Sequence, residues 1–517
     1  MTKDSSGYVT GLKLVILMTS ITLAAFLMLL DTAIVVIAIP RITTEFHSLQ
    51  DIGWYGISYN LASAALLPMS GKLYTYFKLK WTFLVFLVLL EIGSLICGVA
   101  TSSNMLIIGR AITGFGSSGI QNGAFTIIAA SVYPEWRPVL TGIVMGGAQL
   151  GQVVGPLAGG ILTESTTWRW CFFINLPFGG FCAVLLSLVH IPDRRFRIDD
   201  SALTIVTSKL DLTGFFIFAP CTIMFLLALQ CGGVDFPWDS VTIIGLFCGS
   251  GVTLLIFMYW ENRAGYSAMI PFPVIRQREV WMSCLVILFL FSTVFVTSFY
   301  FPIYFQSVKG VSPLMSGVAI LPIILSQLAF AVISGVLAQK SGYYMPFAVI
   351  SAVMLTVGNG LLSTLGPHTP TAKWAGYQIM VGSARGMGMQ MPIIAVQSNT
   401  ATEITSIAIA MLVFSQTFGG AITITIADII FKNKVKAELM ERLPHSDADS
   451  IINAGATAIR HIVSEENVSS VVAAYAKSVN VTFYLAIAAS GAMFLTSWGI
   501  GWKDIRKKTS LEESHVA

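Results

Sequence analysis

An all-α chain that crosses a membrane many times is the fold this sequence predicts, and three observations predict it. Of its 517 residues, 55% are hydrophobic and only 11% charged, with a mean hydropathy of +0.77. A soluble domain of this size has no interior able to take so much apolar surface. Apolar windows of about 20 residues, each long enough to span the hydrocarbon as a helix, recur along the whole chain. Lys and Arg then collect on one side of those windows.

The windows fall at roughly 12–39, 53–70, 81–100, 105–130, 139–163, 170–191, 212–231, 240–260, 280–305, 313–338, 343–366, 374–398, 404–431 and 478–502, which makes fourteen. An even number puts both termini on one side. With that side cytoplasmic, the inner segments hold 18 of the Lys and Arg and the short outer loops hold 4, namely Arg41, Arg169, Lys309 and Lys373. That bias fixes both ends inside, because long loops weigh little in the rule. The first run is too long for the apolar core of a cleavable signal and reads as a retained span.

The net charge of +4 is spread along the chain and leaves no footprint for nucleic acid. Seven cysteines (Cys97, Cys171, Cys182, Cys221, Cys231, Cys248, Cys284) lie in or beside apolar runs without CxxC or Cys/His spacing, so they read as small core residues with no disulfide scaffold and no metal site. No nucleophile elbow or phosphate loop is present, so no enzyme and no cofactor is expected.

An internal echo divides the chain. Gly71-Lys72-Leu73 after the second window and Gly335-Val336-Leu337 after the tenth share the form G-x-L at an offset of 264 residues, and Pro40 has a counterpart in Pro302. Two bundles of six spans follow from this, with two spans inserted between them. The divisions are a tail at 1–11, a first bundle at 12–191, linkers and inserted spans at 192–279, a second bundle at 280–502 and a tail at 503–517. The loop at about 432–476 is expected outside, its apolar spacing at Ile451, Ile452, Ala458, Ile459 and Ile462 pointing to short amphipathic helices. Asn467-Val468-Ser469 within it is a glycosylation sequon on the proper side.

Charge inside a span is costly and is a functional hypothesis by default. Asp31 lies in the first window, about nine residues short of its outer end, and reads either as a proton carrier or as a carboxylate hydrogen-bonded for packing. Arg110 in the fourth window leads a polar face with Thr113, Ser117 and Gln121, and reads as pathway lining that competes with the proton for Asp31, or as a static clamp. Glu91 in the third window is either a second proton site or a partner for Arg110. In the second half, Arg385 and Gln390 lie in a polar window, and Phe291, Phe295 and Phe299 form a four-residue stripe. Such a stripe is core, lipid-facing or a substrate wall; as a wall it would take a bulky apolar ligand held by stacking and by amides such as Gln121, Gln149 and Gln390.

The stretch Gly142–Gly160, GIVMGGAQLGQVVGPLAGG, places Gly147, Gly151, Gly155 and Gly159 four residues apart, adds Pro156 and doubles the last glycine with Gly160. These fall near one helix face, where another backbone can come close, and Pro156 leaves a carbonyl free for a bend. On spacing alone this is a tightly packed helix pair. The pattern resembles the antiporter motif in the fifth span of major facilitator superfamily exporters. Leu30-Asp31-Thr32 through Pro40, Arg110 with Gly114, and Trp168-Arg169-Trp170-Cys171-Phe172-Phe173-Ile174-Asn175-Leu176-Pro177-Phe178-Gly179-Gly180 resemble signatures of its fourteen-span drug:proton antiporters, and with Glu91–Gly98 and the Gly71–Trp81 loop the chain looks most like fungal toxin and secondary-metabolite efflux pumps. The loop after the second window departs from the family pattern, with Thr75, Tyr76 and Lys78 where an aspartate and a basic-Gly pattern are usual.

The resemblance implies the major facilitator fold and a monomer in the plasma membrane, or alternatively a vacuolar or other endomembrane. It implies efflux of a small amphipathic or apolar compound against protons by alternating access. Asp31 would be the switch, Arg110 its tuner, and the glycine face a seam against the second bundle. Siderophore or basic amino acid transport is the alternative; a membrane sensor ranks below it, because the tail after Trp502 is short.

Overall fold

The computed structural model describes residues 8–48, 51–192, 204–205, 209–233, 235–401, 403–443 and 465–506. Helix follows helix. The first group is α1 (Gly11–Phe46), α2 (Ile52–Tyr76), α3 (Leu79–Gly98), α4 (Ser103–Ser131), α5 (Arg137–Ser165), the short α6 (Trp170–Phe173) and α7 (Asn175–Leu188). Then come α8 (Leu212–Cys231), α9 (Val241–Ala264) and the short α10 (Phe272–Ile275). The last group is α11 (Arg278–Ile303), α12 (Pro313–Ala319), α13 (Leu321–Ser341), α14 (Met345–Leu362), α15 (Thr371–Gly388), α16 (Met391–Asn399), α17 (Thr405–Arg442) and α18 (Glu465–Ser497).

Local chemistry sets the ends. The Ser102 and Ser240 hydroxyls accept from the Met105 and Ile243 N–H groups at 3.3 Å, capping α4 and α9. Asp211 caps α8 through the Gly214 N–H at 2.9 Å. Beyond Pro302, α11 runs on as a π-type turn over Tyr304–Val308.

Every sequence window holds helix, and ten of the helices among the described residues are long and apolar enough to cross a membrane. The windows that fall short are those of α2, α4 and α5 and the α15–α16 pair, which is broken at Met389–Gln390. These carry Gly, Ser, Asn and Gln where the others carry Leu, Val and Phe, and most of α2 and α4 is buried by neighbouring helices, so they need less apolar surface of their own. Window 313–338 likewise splits into α12 and α13.

In the first bundle α1 packs on α5 and α7, and α4 lies between α2 and α3. In the second, α11 lies against α17 and α18, and α15 against α13 and α14. One apolar core lies in the first bundle, and a larger one fills the second and reaches Leu67, Phe125 and Met145 of the first. The inserted α8 and α9 pair with each other, and α8 rests on α2.

The described parts of the expected outer loop at 432–476, residues 432–443 and 465–476, are helix but for Leu443. α17 runs to Arg442 and α18 starts at Glu465; the predicted amphipathic stretch at 451–462 lies outside the described residues. At about 1.5 Å per residue, the 38 residues of α17 reach far beyond a hydrocarbon core of about 30 Å. Its last turns are held by Glu438, which pairs with Lys434 at 2.8 Å and Arg442 at 3.3 Å on its own helix and with Lys477 of α18 at 2.6 Å. Lys and Glu in the sequence marked these turns as loop, whereas spacing at i,i+4 makes them a polar helix. Asn467 sits in the first turn of α18, and Cys248 is exposed where a core residue was expected.

The bundles meet at the end that the charge bias places in the cytoplasm. A Cβ on Gly71 of α2 would lie 2.9 Å from both Ala410 Cβ and Ile407 Cα of α17, and one on Gly335 of α13 would lie 2.9 Å from Val139 Cα of α5. The two glycines of the internal echo therefore make matching cross-bundle contacts. Thr75 Oγ1 is 2.6 Å from Ser406 Oγ, and Gln397 Nε2 donates to the Phe125 carbonyl at 3.0 Å. Thr75, which breaks the family pattern, thus makes a cross-bundle hydrogen bond of its own.

Candidate functional site: a buried ion pair on the first helix

Asp31 is fully buried on α1, and the Arg110 guanidinium of α4 forms an ion pair with its Oδ2 through Nη1. Its other oxygen, Oδ1, accepts from Asn175 Nδ2 at 3.0 Å, and the same amide nitrogen lies 3.1 Å from Ser94 Oγ. Arg110, 2% exposed, also donates from Nε to the Tyr55 carbonyl at 2.9 Å and stacks 4.6 Å from the centroid of the Tyr59 ring. A carboxylate and a guanidinium out of water need such complete pairing to persist. Four helices, α1, α2, α4 and α7, converge on this one charge pair.

The tryptophan-rich stretch before α7 holds α1 at a second level. Trp168 Nε1 donates to Glu45 Oε2 at 2.6 Å, Arg169 pairs with the same carboxylate at 2.8 Å, and seven residues further on Asn175 reaches Asp31. Sequence reasoning quoted that stretch as a signature and gave Asn175 no task; an amide within an otherwise apolar run was the available signal.

Above the pair, at the predicted outer end, a cavity of about 880 Å³ is lined by residues that include Thr43, His47, Asp51 and Ser103. Tyr55 connects the two. Its hydroxyl lies 2.8 Å from Ser48 Oγ and 2.9 Å from Ser103 Oγ, Ser103 donates to Asp51, and its carbonyl holds Arg110.

Glu91 is not the partner of Arg110. It lies between α3 and α7 beside Gly179, and neither carboxyl oxygen has a hydrogen-bond partner among the described residues. The glycine face also takes a different neighbour from the one expected. Gly147, Gly151, Gly155 and Gly159 lie against Thr22, Phe26 with Leu30, Ala33 and Ile34 of α1, within the first bundle. Gly142, over a turn nearer the cytoplasmic end, and Gly146, beside Gly147 on another face of the helix, meet Ala331, Gln390 and Leu328 of the second bundle, while Gly160 has open space beside it. A four-residue glycine repeat specifies a close neighbour without saying which, and here it seats the helix that carries Asp31. Pro156 lies inside α5, which continues through it.

The proposed pathway residues do not converge. Gln121 and Gln149 are half-buried with no hydrogen-bond partner among the described residues. Gln390 is engaged with the Ala331 carbonyl at 2.9 Å and Ser334 Oγ at 3.0 Å, at the contact between bundles. The phenylalanine stripe is not one wall: Phe291 is in the second core, Phe295 packs on Gly420, and Phe299 is 52% exposed. Arg385 is buried on α15 and donates from Nη2 to the Thr293 carbonyl of α11 at 3.0 Å.

The family model described as Major Facilitator Superfamily matches residues 21–424. An MFS-type transporter, pigP, of Monascus ruber is 53% identical over 97% of this chain and 88% of its own length. The efflux pump mokI of Monascus pilosus is 48% identical over 97% of this chain and 94% of its own. Among solved structures, the proton:xylose symporter XylE superposes with a TM-score of 0.64 at 14% identity, covering 95% of this chain and 96% of that one. The chain belongs to the Major Facilitator Superfamily and is a multi-pass membrane transporter by family and fold.

Proposed function

We propose that this protein is a proton-driven exporter of small amphipathic or apolar compounds of the secondary-metabolite, toxin or xenobiotic kind. In this reading it crosses the plasma membrane fourteen times with both termini in the cytoplasm. The observation that carries the reading is the buried Asp31–Arg110 pair, because it is a charge switch placed where four helices meet. Similarity to relatives named efflux pumps supports the outward direction.

With Asp31 ionised, Arg110 and Asn175 tie α1 to α4 and α7. A proton on Asp31 removes the charge that holds the pair, while Arg110 keeps the Tyr55 carbonyl and the Tyr59 ring. The two protonation states therefore favour different packings of α1, which is the condition for a proton gradient to drive a conformational cycle. In the described conformation the bundles touch at the predicted cytoplasmic end and Asp31 is paired, while the outer cavity lies within the first bundle, lined by the end of α1 and the segments before α2 and α4. In this reading Asp31 takes a proton from outside, after which the bundles rock to open inward.

Two findings weigh against siderophore or basic amino acid transport. Asp31 is already paired with a cation and Asp428 with Lys432 at 2.7 Å, so of the three acids in the spans, Asp31, Glu91 and Asp428, Glu91 alone lacks a cationic partner among the described residues. The test is uptake of a fluorescent amphipathic dye into inside-out vesicles. Acidifying the lumen should drive the dye inward in the presence of the protein, and uptake indifferent to the imposed gradient would refute proton coupling.

A further inference from the structure

The two halves of the chain repeat one arrangement with one group missing. Asp31 stands nine residues before Pro40 on α1, and Thr293 stands nine residues before Pro302 on α11. α1 is the first span of the first bundle and α11 the first of the second; α4 and α15 are the fourth of each. On α4, Arg110 reaches across to α1 at Asp31. On α15, Arg385 reaches across to α11 at the Thr293 carbonyl, 3.0 Å away, with the Val294 carbonyl at 3.5 Å. The guanidinium is thus kept in the second half while the carboxylate is not.

Arg385 is 2% exposed, and among the described residues its Nε has no hydrogen-bond partner and no carboxylate forms an ion pair with it. Carbonyl dipoles satisfy donors without cancelling a unit charge, and a buried ion without its counter-ion is expensive. α15 is pressed by Gly382 and Gly386 onto the Ile323 and Gln327 carbonyls of α13, which turns Arg385 toward α11. An Arg fork offers parallel N–H donors that match a carboxylate.

We infer that Arg385 is the seat for a carboxylate carried by the exported compound, which supplies the acid that Thr293 does not. This rests on the exporter reading and deepens it: the proton switch uses the guanidinium of one half and the cargo anion uses that of the other. The favoured substrates are amphipathic organic acids in their ionised form, in preference to their esters.

The experiment uses the full-length protein in lipid nanodiscs near neutral pH, with 1-pyrenebutyrate and its methyl ester as probes, read by energy transfer from tryptophan. The acid should bind at least about tenfold tighter than the ester, a difference of about 1.4 kcal/mol. Arg385→Gln should remove that preference and leave the ester unchanged. Thr293→Asp, which installs the missing carboxylate, should remove it as well by occupying Arg385 from within. Equal binding of acid and ester by the unaltered protein, or a preference that survives Arg385→Gln, overturns the assignment. Asp31→Asn separates the two claims: it should keep the acid preference in this assay while losing gradient-driven transport. Failure of the acid preference alone leaves the proton reading standing, and failure of proton coupling alone leaves this site standing.

Discussion

Gly155→Ala adds one methyl group to the face of α5 that seats α1. That Cβ would lie 2.6 Å from Ala33 Cβ and 3.1 Å from the Ile34 nitrogen. Carbon atoms rest about 3.5–4.0 Å apart, so α1 must move back by about 1 Å, two residues beyond Asp31. The Asn175–Asp31 hydrogen bond, now 3.0 Å, then opens past the reach of such a bond, which ends near about 3.6 Å. Overpacking costs about 1–3 kcal/mol, and a lost hydrogen bond to a charged group a further ~1.5–3 kcal/mol. Gradient-driven dye efflux should fall at least about tenfold and the thermal midpoint of the purified protein should drop. Gly160→Ala is the internal control, since nothing lies within 4 Å of its Cβ and both readouts should stay unchanged. Gly142→Ala, whose Cβ would meet the Ala331 carbonyl at 2.6 Å, should act differently by loosening the contact between bundles. Equal damage from Gly155→Ala and Gly160→Ala, or none from either, would refute the placement of α1 on this face.

Two other outcomes follow from single contacts. Asn175→Ala deletes a donor to the Asp31 carboxylate, so gradient-driven efflux should fall by about tenfold, the equivalent of about 1.4 kcal/mol, with the protein still folded. On the extension of α17 beyond the bilayer, burial pushes the Glu438 carboxyl up, but hydrogen bonds and charge from Lys434 and Lys477 outweigh it and hold the group at about 2. Its stabilisation is therefore complete above the ordinary value of 4.5 and is lost as pH falls from there toward about 2. Thermal melts across that window should show a slope that Glu438→Gln flattens, and identical slopes would show that the cluster contributes nothing.

The positions of the helices were legible because a span announces itself by length and apolarity, and every window of the sequence holds helix. Four windows fell short of span-grade apolarity for a reason of packing: helices with most of their surface against other helices can carry glycine, serine and amides. The charged turns at 432–442 read as loop because composition alone does not distinguish a solvated helix from a linker. Asp31 and Arg110 were legible singly, since buried charge is rare, but they lie 79 positions apart, and only the folded chain shows that they are one pair. The glycine repeat was legible as a close-packing face and was assigned to the wrong partner, because spacing encodes the shape of one surface and says nothing of the other. Arg385 was visible as a charge; that it repeats Arg110 without its acid required the contact with Thr293.

The central claim is that the proton which drives transport sits on Asp31. Vesicles containing Asp31→Asn and loaded with unlabelled dye test it most directly, because exchange against labelled dye needs the conformational cycle but not the proton. The account predicts exchange near the unaltered rate with no accumulation when a pH gradient is imposed. Accumulation by Asp31→Asn under that gradient, matching the unaltered protein, would contradict it.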